Sequence, residues 1–355
     1  MTNTLEERLK GIIRATGPMD VATYMQLCLT DPEDGYYTTK EPFGGEGDFI
    51  TAPEVSQLFG EMIGIWVIDI WQKMGKPQPF CLAEAGPGRG TLMADILRTL
   101  EKAAPDCAKA VDVTLIEVSD RLRALQRQTL APNGRDASWI GDVSELSNQP
   151  AILIANEFLD ALPIHQYQYR DGAWHERAIG LDENDDLTWG LKPASPMIPR
   201  ALAPEQDAVF ELCPAGQTAI ASICDTMKRH DGAALIIDYG HLEPGLGDTF
   251  QAVKDHAYYD PLVAPGEADL TAHVDFSALA RIVESNGLAA HMSTQGAFLI
   301  AMGLLERAGA LGQGRSPEIQ SRITTDVERL AAPDKMGDLF KVMSITAKGV
   351  DPHGF

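Results

Sequence analysis

Hydrophobic residues recur along this chain with two different periods, and the change from one to the other divides it. Over residues 4–14, Leu5, Leu9, Ile12 and Ile13 share a helical face, and Met19 to Leu29 predicts a second amphipathic helix. Further on, Val55, Leu58, Phe59, Met62, Ile63, Trp66, Ile70 and Trp71 make an apolar face broad enough to require a core helix. Its start is expected at Thr51, where Thr51 and Glu54 fit a capping box with Pro53 in the first turn; Gly75 and Pro77 end it. From Phe80 the texture changes. Short apolar runs at Phe80–Glu84, Val111–Ile116, Ala137–Ile140, Ala151–Ala155 and Ala233–Ile237 alternate with helical patterns over 91–102, 122–130 and 215–229. Such alternation predicts an α/β fold with a mostly parallel sheet. Residues 103–110 read as an extended connection.

The alternation is interrupted once. Tyr167–Arg170 and Trp174–Ile179 alternate like a hairpin around Asp171-Gly172, Pro193–Pro204 is proline-rich, and Val209–Leu212 fits one more strand. After the fifth strand, Thr249–Lys254 is strand-like and Pro261–Asp275 reads as a polar loop holding Asp269, Thr271 and His273. A helix over 276–285, a strand at Ala289–Ser293, helices over 296–307 and 317–331, and a strand at Phe340–Thr346 complete the chain. The pattern gives a helical extension with a glycine-rich covering loop over 1–78. An α/β domain follows over 79–355, with a β-rich insertion at about 165–213.

The candidate chemistry gathers where the first strand meets its helix. The stretch Glu84-Ala85-Gly86-Pro87-Gly88-Arg89-Gly90-Thr91 places an acid before three alternate glycines. Glycine lets backbone N–H groups approach a ligand, and the helix start adds partial positive charge. A dinucleotide fold wants G-x-G-x-x-G, but here Thr91 occupies the last position. The observed spacing is that of class I S-adenosylmethionine (SAM) methyltransferases. Gly86, Pro87, Gly88 and Gly90 would line the cofactor, and Glu84 would suit its ammonium group. Glu117, ending the second strand, is placed to accept from both ribose hydroxyls. Asp142 would take the adenine amino group with the Val143 backbone alongside; alternatively it caps the next helical turn. Thr51, Ser56 and Gln57 are the polar groups expected over the cofactor, Thr51 equally well as a simple cap. Asn156, Glu157 and Asp160 follow the fourth strand. Parallel sheets present ligands at strand carboxyl ends, which puts these three beside the transferable methyl. Two carboxylates also suit a guanidinium, which they bind and orient; Glu157 and Asp160 as caps of a following helix is the competing reading. His241 and His273 are lesser candidates for a general base.

Composition adds bounds. The chain has 355 residues and a formal charge of −22, which disfavours nucleic acid; it suits a cationic protein or peptide, although solubility alone accounts for such a charge. Its five cysteines form no C-x-x-C pair, so reduced thiols and no metal site are expected. No stretch suits a membrane span, and Met1–Arg14 lacks the features of a signal or transit peptide, so a cytoplasmic protein is expected.

The chain resembles the complex I assembly methyltransferases of bacteria and mitochondria (the MidA family). The resemblance is carried by Gly47 to Glu61, Glu84 to Gly90, Asn156-Glu157-Phe158-Leu159-Asp160-Ala161-Leu162-Pro163 and Ile237-Asp238-Tyr239-Gly240, in that order. It implies a Rossmann-like, seven-stranded class I fold with a helical N-terminal extension. It also implies SAM as cofactor and protein arginine as acceptor, with symmetric dimethylation of a respiratory complex I subunit or its bacterial counterpart. The mitochondrial members place that activity in the matrix, and a homodimer is open. Small-molecule O- or N-methylation, or a non-catalytic assembly role on the same fold, are the alternatives.

Overall fold

The computed structural model describes residues 4–39, 51–198, 202–254 and 256–355. The covering loop expected around Phe43–Ile50 lies outside them. The chain divides into two compact units: Met1–Phe49, Leu159–Thr218 and Glu243–Ser277 make the first, and Ile50–Phe158, Ala219–Leu242 and Ala278–Phe355 the second.

The second unit is built on strands β1 (Phe80–Ala85), β2 (Val111–Ile116), β3 (Ala137–Ile140), β4 (Ala151–Asn156), β5 (Ala233–His241), β6 (Ala289–Thr294) and β7 (Phe340–Thr346). They lie in the order β3-β2-β1-β4-β5-β7-β6. The run from β3 to β5 is parallel, and β7 is antiparallel to both its neighbours. β1 and β4 are buried along their whole length, as central strands covered on both faces must be. The strand order reverses between β1 and β4, and Ala85 is level with both Ile116 and Ala155. The residues that follow β1, β2 and β4 therefore emerge along one edge, at the switch point where such sheets hold ligands.

Helix Gln57–Lys73 packs on helix Thr91–Ala103 through small residues. A Cβ on Gly60 would lie 2.5 Å from the Asp95 side chain, and one on Gly64 would lie 2.8 Å from Thr99. Phe59, Ile63, Trp66 and Ile70 are fully buried in the same core as Leu82, Ile152 and Leu235. Each such side chain contributes roughly 1.5–3 kcal/mol by burial. The bidentate pair of Arg307 with buried Glu61 (2.7 and 3.1 Å) ties the helix to Leu304–Gly312.

Three expectations are corrected in this unit. The helix does not run unbroken from Thr51: Ala52–Val55 is a separate turn, and Ser56, extended at φ −161°, caps Gln57–Lys73 by accepting from Leu58 N–H. Thr51 makes no side-chain cap, so the capping box with Glu54 is absent. The connection over 103–110 contains a helix, Pro105–Ala110, started by its proline. The helical pattern over 296–307 breaks into Gln295–Ala301 and Leu304–Gly312, because Gly303 turns left-handed at φ 94°.

In the first unit, helices Leu5–Thr16 and Val21–Thr30 bury Leu9, Tyr24, Met25 and Leu29 with Tyr36, Ile179 and Leu270. The hairpin around Asp171-Gly172 forms as His165–Arg170 and Ala173–Leu181. An unanticipated strand, Leu187–Pro193, and the short Met19–Asp20 both pair with Ala173–Leu181, and Val209–Leu212 pairs with His165–Arg170. Asp269 and Thr271 lie on a strand, Asp269–Thr271, rather than in a loop. It belongs to a three-stranded sheet with Gln251–Lys254 and Ala257–Tyr259. None of the five cysteines, all of them among the described residues, is joined in a disulfide.

Candidate functional site

The edge of the second unit's sheet is lined with carboxylates. Glu84, the penultimate residue of β1, is 3% exposed. It accepts from the Met93 N–H, and its Oε2 has no partner among the described residues. Loss of water around the carboxyl pushes its pKa up to about 8, against the opposing pull of that one hydrogen bond. The chain then turns through Gly86, Gly88 and Gly90 at φ 63°, 50° and 81°. Gly90 N–H closes the turn on the Pro87 carbonyl (2.7 Å), and Gly90 opens helix Thr91–Ala103. A Cβ at Gly86 would sit 3.0 Å from the Phe158 ring, so this position is closed sterically as well as conformationally.

Glu117 follows β2, its N–H on the Ile140 carbonyl (3.1 Å). Its Oε1 accepts from Ser119 N–H (2.8 Å) and its Oε2 from Gln126 (3.3 Å). Asp142 caps the 3-10 turn Val143–Glu145, taking both the N–H (2.9 Å) and the hydroxyl (2.5 Å) of Ser144. The hydroxyl contact, then the N–H, holds its pKa below the usual range. The capping alternative is therefore what the Asp142 side chain does here, and Val143 is buried.

Asn156 ends β4, and Glu157 stands just beyond it at φ 51°, in the left-handed region that a glutamate rarely adopts. Glu157 N–H donates to Ile237 on β5 (2.9 Å), which holds that conformation. Its Oε1 accepts from Ala52 N–H (3.2 Å) and Asn156 Nδ2 (3.1 Å), and the Tyr239 hydroxyl also donates to it. Burial outweighs these bonds and raises the carboxyl to about 7. Asn156 Oδ1 is buried without a partner among the described residues. No helix follows β4: residues 157–164 form a turn, so Glu157 and Asp160 do not cap one. Asp160 belongs to the first unit, where it is buried; burial first, and then the charges of Asp269 and Asp160, raise the pKa of the Tyr37 phenol well above its ordinary value.

Thr51 precedes the Ala52–Val55 turn, which is held at both ends: Ala52 by Glu157, and Glu54 by Thr91 Oγ1 (3.4 Å) and Arg89 (3.8 Å). Ser56 and Gln57 line a cleft of about 590 Å³ with Thr91, Asp95, Arg315 and Arg322. His241 ends β5, and His273 donates its backbone N–H to Thr249. Three residues of the site had no role assigned from sequence. Buried Asp238 on β5 accepts from Phe158 N–H (3.1 Å) and so fixes the ring against Gly86. Tyr239 is the second; the carboxyl end of β5 was the available signal for both. Gln126, within an ordinary amphipathic helix, carried no signal. In the first unit Asp20, His165 and Glu176 bring ligand atoms within 4.8 Å of one another. Asp20 already caps Val21–Thr30, and Glu176 also faces Lys192 (3.6 Å).

The raised carboxyls predict a pH dependence of stability. A carboxyl whose folded pKa is raised contributes stability that is complete below its ordinary value of 4.5 and is lost as pH rises, here through about 7 for Glu157 and about 8 for Glu84. Without ligand, the melting temperature of Glu84→Gln should fall less than that of wild type between about pH 5 and pH 8.5. Parallel curves by calorimetry would show that Glu84 is not held neutral.

An antiparallel strand set between β5 and β6, with an acid-led glycine turn at the switch point, is the arrangement of an α/β methyltransferase. A crystal structure of a likely methyltransferase of the COG1565 superfamily from Burkholderia thailandensis, bound to S-adenosyl-homocysteine, shares the fold: TM-score 0.86, 24% identity, 99% of this chain and 93% of that one. The family model described as "Putative S-adenosyl-L-methionine-dependent methyltransferase" matches residues 62–294, and the chain belongs to this family of SAM-dependent enzymes. It is 36% identical to the mitochondrial protein arginine methyltransferase NDUFAF7 homolog of Drosophila melanogaster (96% of this chain, 84% of that protein). It is also 36% identical to the human mitochondrial protein arginine methyltransferase NDUFAF7 (94% and 81%). No described helix is long and apolar enough to cross a membrane.

Proposed function

We propose that this methyltransferase modifies arginine side chains of a protein, with a class I, seven-stranded sheet as its catalytic frame. The observation that carries the reading is a row of carboxylates at one sheet edge without cationic partners among the described residues, Glu84 with an orphaned oxygen and Glu157 with a raised pKa. Sites of this kind await a cation. SAM supplies an electrophilic methyl on a sulfonium. Glu84 would take its ammonium group and Glu117 its ribose hydroxyls, with Asp142 and Val143 at the adenine. Gly86, Pro87, Gly88 and Gly90 keep side chains out of the way, and Thr51 and Ser56 lie on the covering segment. Glu157 holds the guanidinium, orients the attacking nitrogen and accepts its proton, and Asn156 keeps Glu157 aimed. Relatives named as mitochondrial arginine methyltransferases support the acceptor. The resemblance to the complex I assembly methyltransferases further supports, as a proposal, a respiratory complex I subunit or its bacterial counterpart as the target, symmetrically dimethylated in the cytoplasm of a bacterial host.

The test is transfer of isotope-labelled methyl from SAM to proteins of a lysate from cells lacking the enzyme, read by mass spectrometry. Label on arginine is expected. Label confined to other side chains or to small molecules would overturn the acceptor.

A further inference from the structure

Gln126 lies in helix Asp120–Leu130 and is fully buried. Every polar atom of its side chain is engaged. Nε2 donates to the Gly88 carbonyl (2.9 Å) and to Glu117 Oε2 (3.3 Å), while Oε1 accepts from Trp139 Nε1 on β3 (2.8 Å). The three partners agree on which end of the amide is nitrogen: two are acceptors only, and the indole is a donor only. The stem also touches the turn, since a Cβ on Gly90 would lie 3.5 Å from Gln126 Cγ. One side chain thus joins the glycine turn after β1, the acid after β2 and the third strand. Ser119 N–H holds the other oxygen of Glu117, so the carboxylate is fixed from two sides.

We infer that Gln126 is a positioning residue for the cofactor, setting the distance between the glycine turn and the Glu117 carboxylate so that both engage one ligand. This rests on the proposed cofactor site. A purely apolar residue of the same length would fill the volume but leave the half-buried Gly88 carbonyl and indole N–H without these partners. It would also free Glu117 to rotate. A glutamate would keep the shape and reverse the electrostatics. The charged groups facing this position are the Glu117 carboxylate, Arg123, whose Nε donates to the Glu117 carbonyl (2.7 Å), and Arg127, which covers Trp139. Two adjacent carboxylates cannot both ionise easily, so one would hold a proton at lower pH and could restore a donor.

The test is calorimetric titration of S-adenosylhomocysteine into wild type, Gln126→Met and Gln126→Glu at about pH 8 and pH 5.5. Each variant is expressed as a ratio to wild type at the same pH. Gln126→Met should bind about 10- to 100-fold more weakly at both values, the loss expected for hydrogen bonds that include a charged acceptor. Gln126→Glu should be at least as weak at pH 8 and recover most of its loss at pH 5.5. Both variants within about threefold of wild type, or a Gln126→Glu ratio that does not move with pH, would overturn the inference. Gln126→Glu is isosteric, so if Gln126→Met alone fails to fold, the pH ratio decides. No binding by wild type would overturn the cofactor site itself, and this inference with it, whereas binding by wild type with indifferent variants removes only the role of Gln126.

Discussion

Gly88→Val should lose SAM affinity by more than about 100-fold while remaining folded. Gly88 sits at φ 50°. A β-branched residue held there costs about 1–3 kcal/mol, which the chain recovers by leaving that conformation. Doing so moves the Gly88 carbonyl away from Gln126 and disturbs the turn closed by Gly90 on Pro87. The peptide groups proposed to face the cofactor go with it. β1 and helix Thr91–Ala103 lie outside the turn, so a thermal melt should stay cooperative. Titration with SAM checks the effect, and equal affinity in variant and wild type would remove the glycine turn from the site.

Glu157→Gln should separate chemistry from binding. A glutamine keeps an oxygen for Ala52 N–H and Asn156 Nδ2, so these two hydrogen bonds survive. It removes the negative charge and the basic site. Affinity for S-adenosylhomocysteine should stay within about threefold, while turnover falls by about 10²- to 10⁴-fold, the usual worth of a positioned proton acceptor. In wild type, kcat/KM should decline as the pH drops through about 7, because the carboxyl is needed ionised and its pKa is raised to that value. A variant that turns over normally, or a profile flat from pH 6 to 8, would remove Glu157 from catalysis.

The parts of the fold legible in the sequence are those where one local rule decides. The buried strands Phe80–Ala85 and Ala151–Asn156 announce themselves as apolar runs, and Gly90 marks the helix start at Thr91. Breaks decided by a single residue were less visible. Ser56 interrupts the pattern between Val55 and Gln57 because its extended backbone caps helix Gln57–Lys73, and the apolar face continues across the break. Gly303 does the same between two helices whose apolar residues share a period. Strand Leu187–Pro193 was hidden because Asp182 organises the preceding turn, accepting from Asn184 and Asp186 N–H groups. At the site, Glu84 and Glu117 could be named from their places after strands. Buried Gln126 could not, since its function lies in bonds to residues 38 and 9 positions away. The left-handed backbone of Glu157 was equally silent, because it is imposed from β5 by Ile237.

The first unit is assembled from three stretches of chain that are far apart in sequence. During synthesis its opening helices emerge at roughly 5–20 residues per second and must wait for the strand Asp269–Thr271 before the unit can close. Leu9, Tyr24 and Met25 stay exposed to water for that interval, a nascent surface suited to chaperone capture. Removal of the opening helices or of the strand Asp269–Thr271 therefore takes away part of that core, and excision of the unit as a fragment requires rejoining all three stretches.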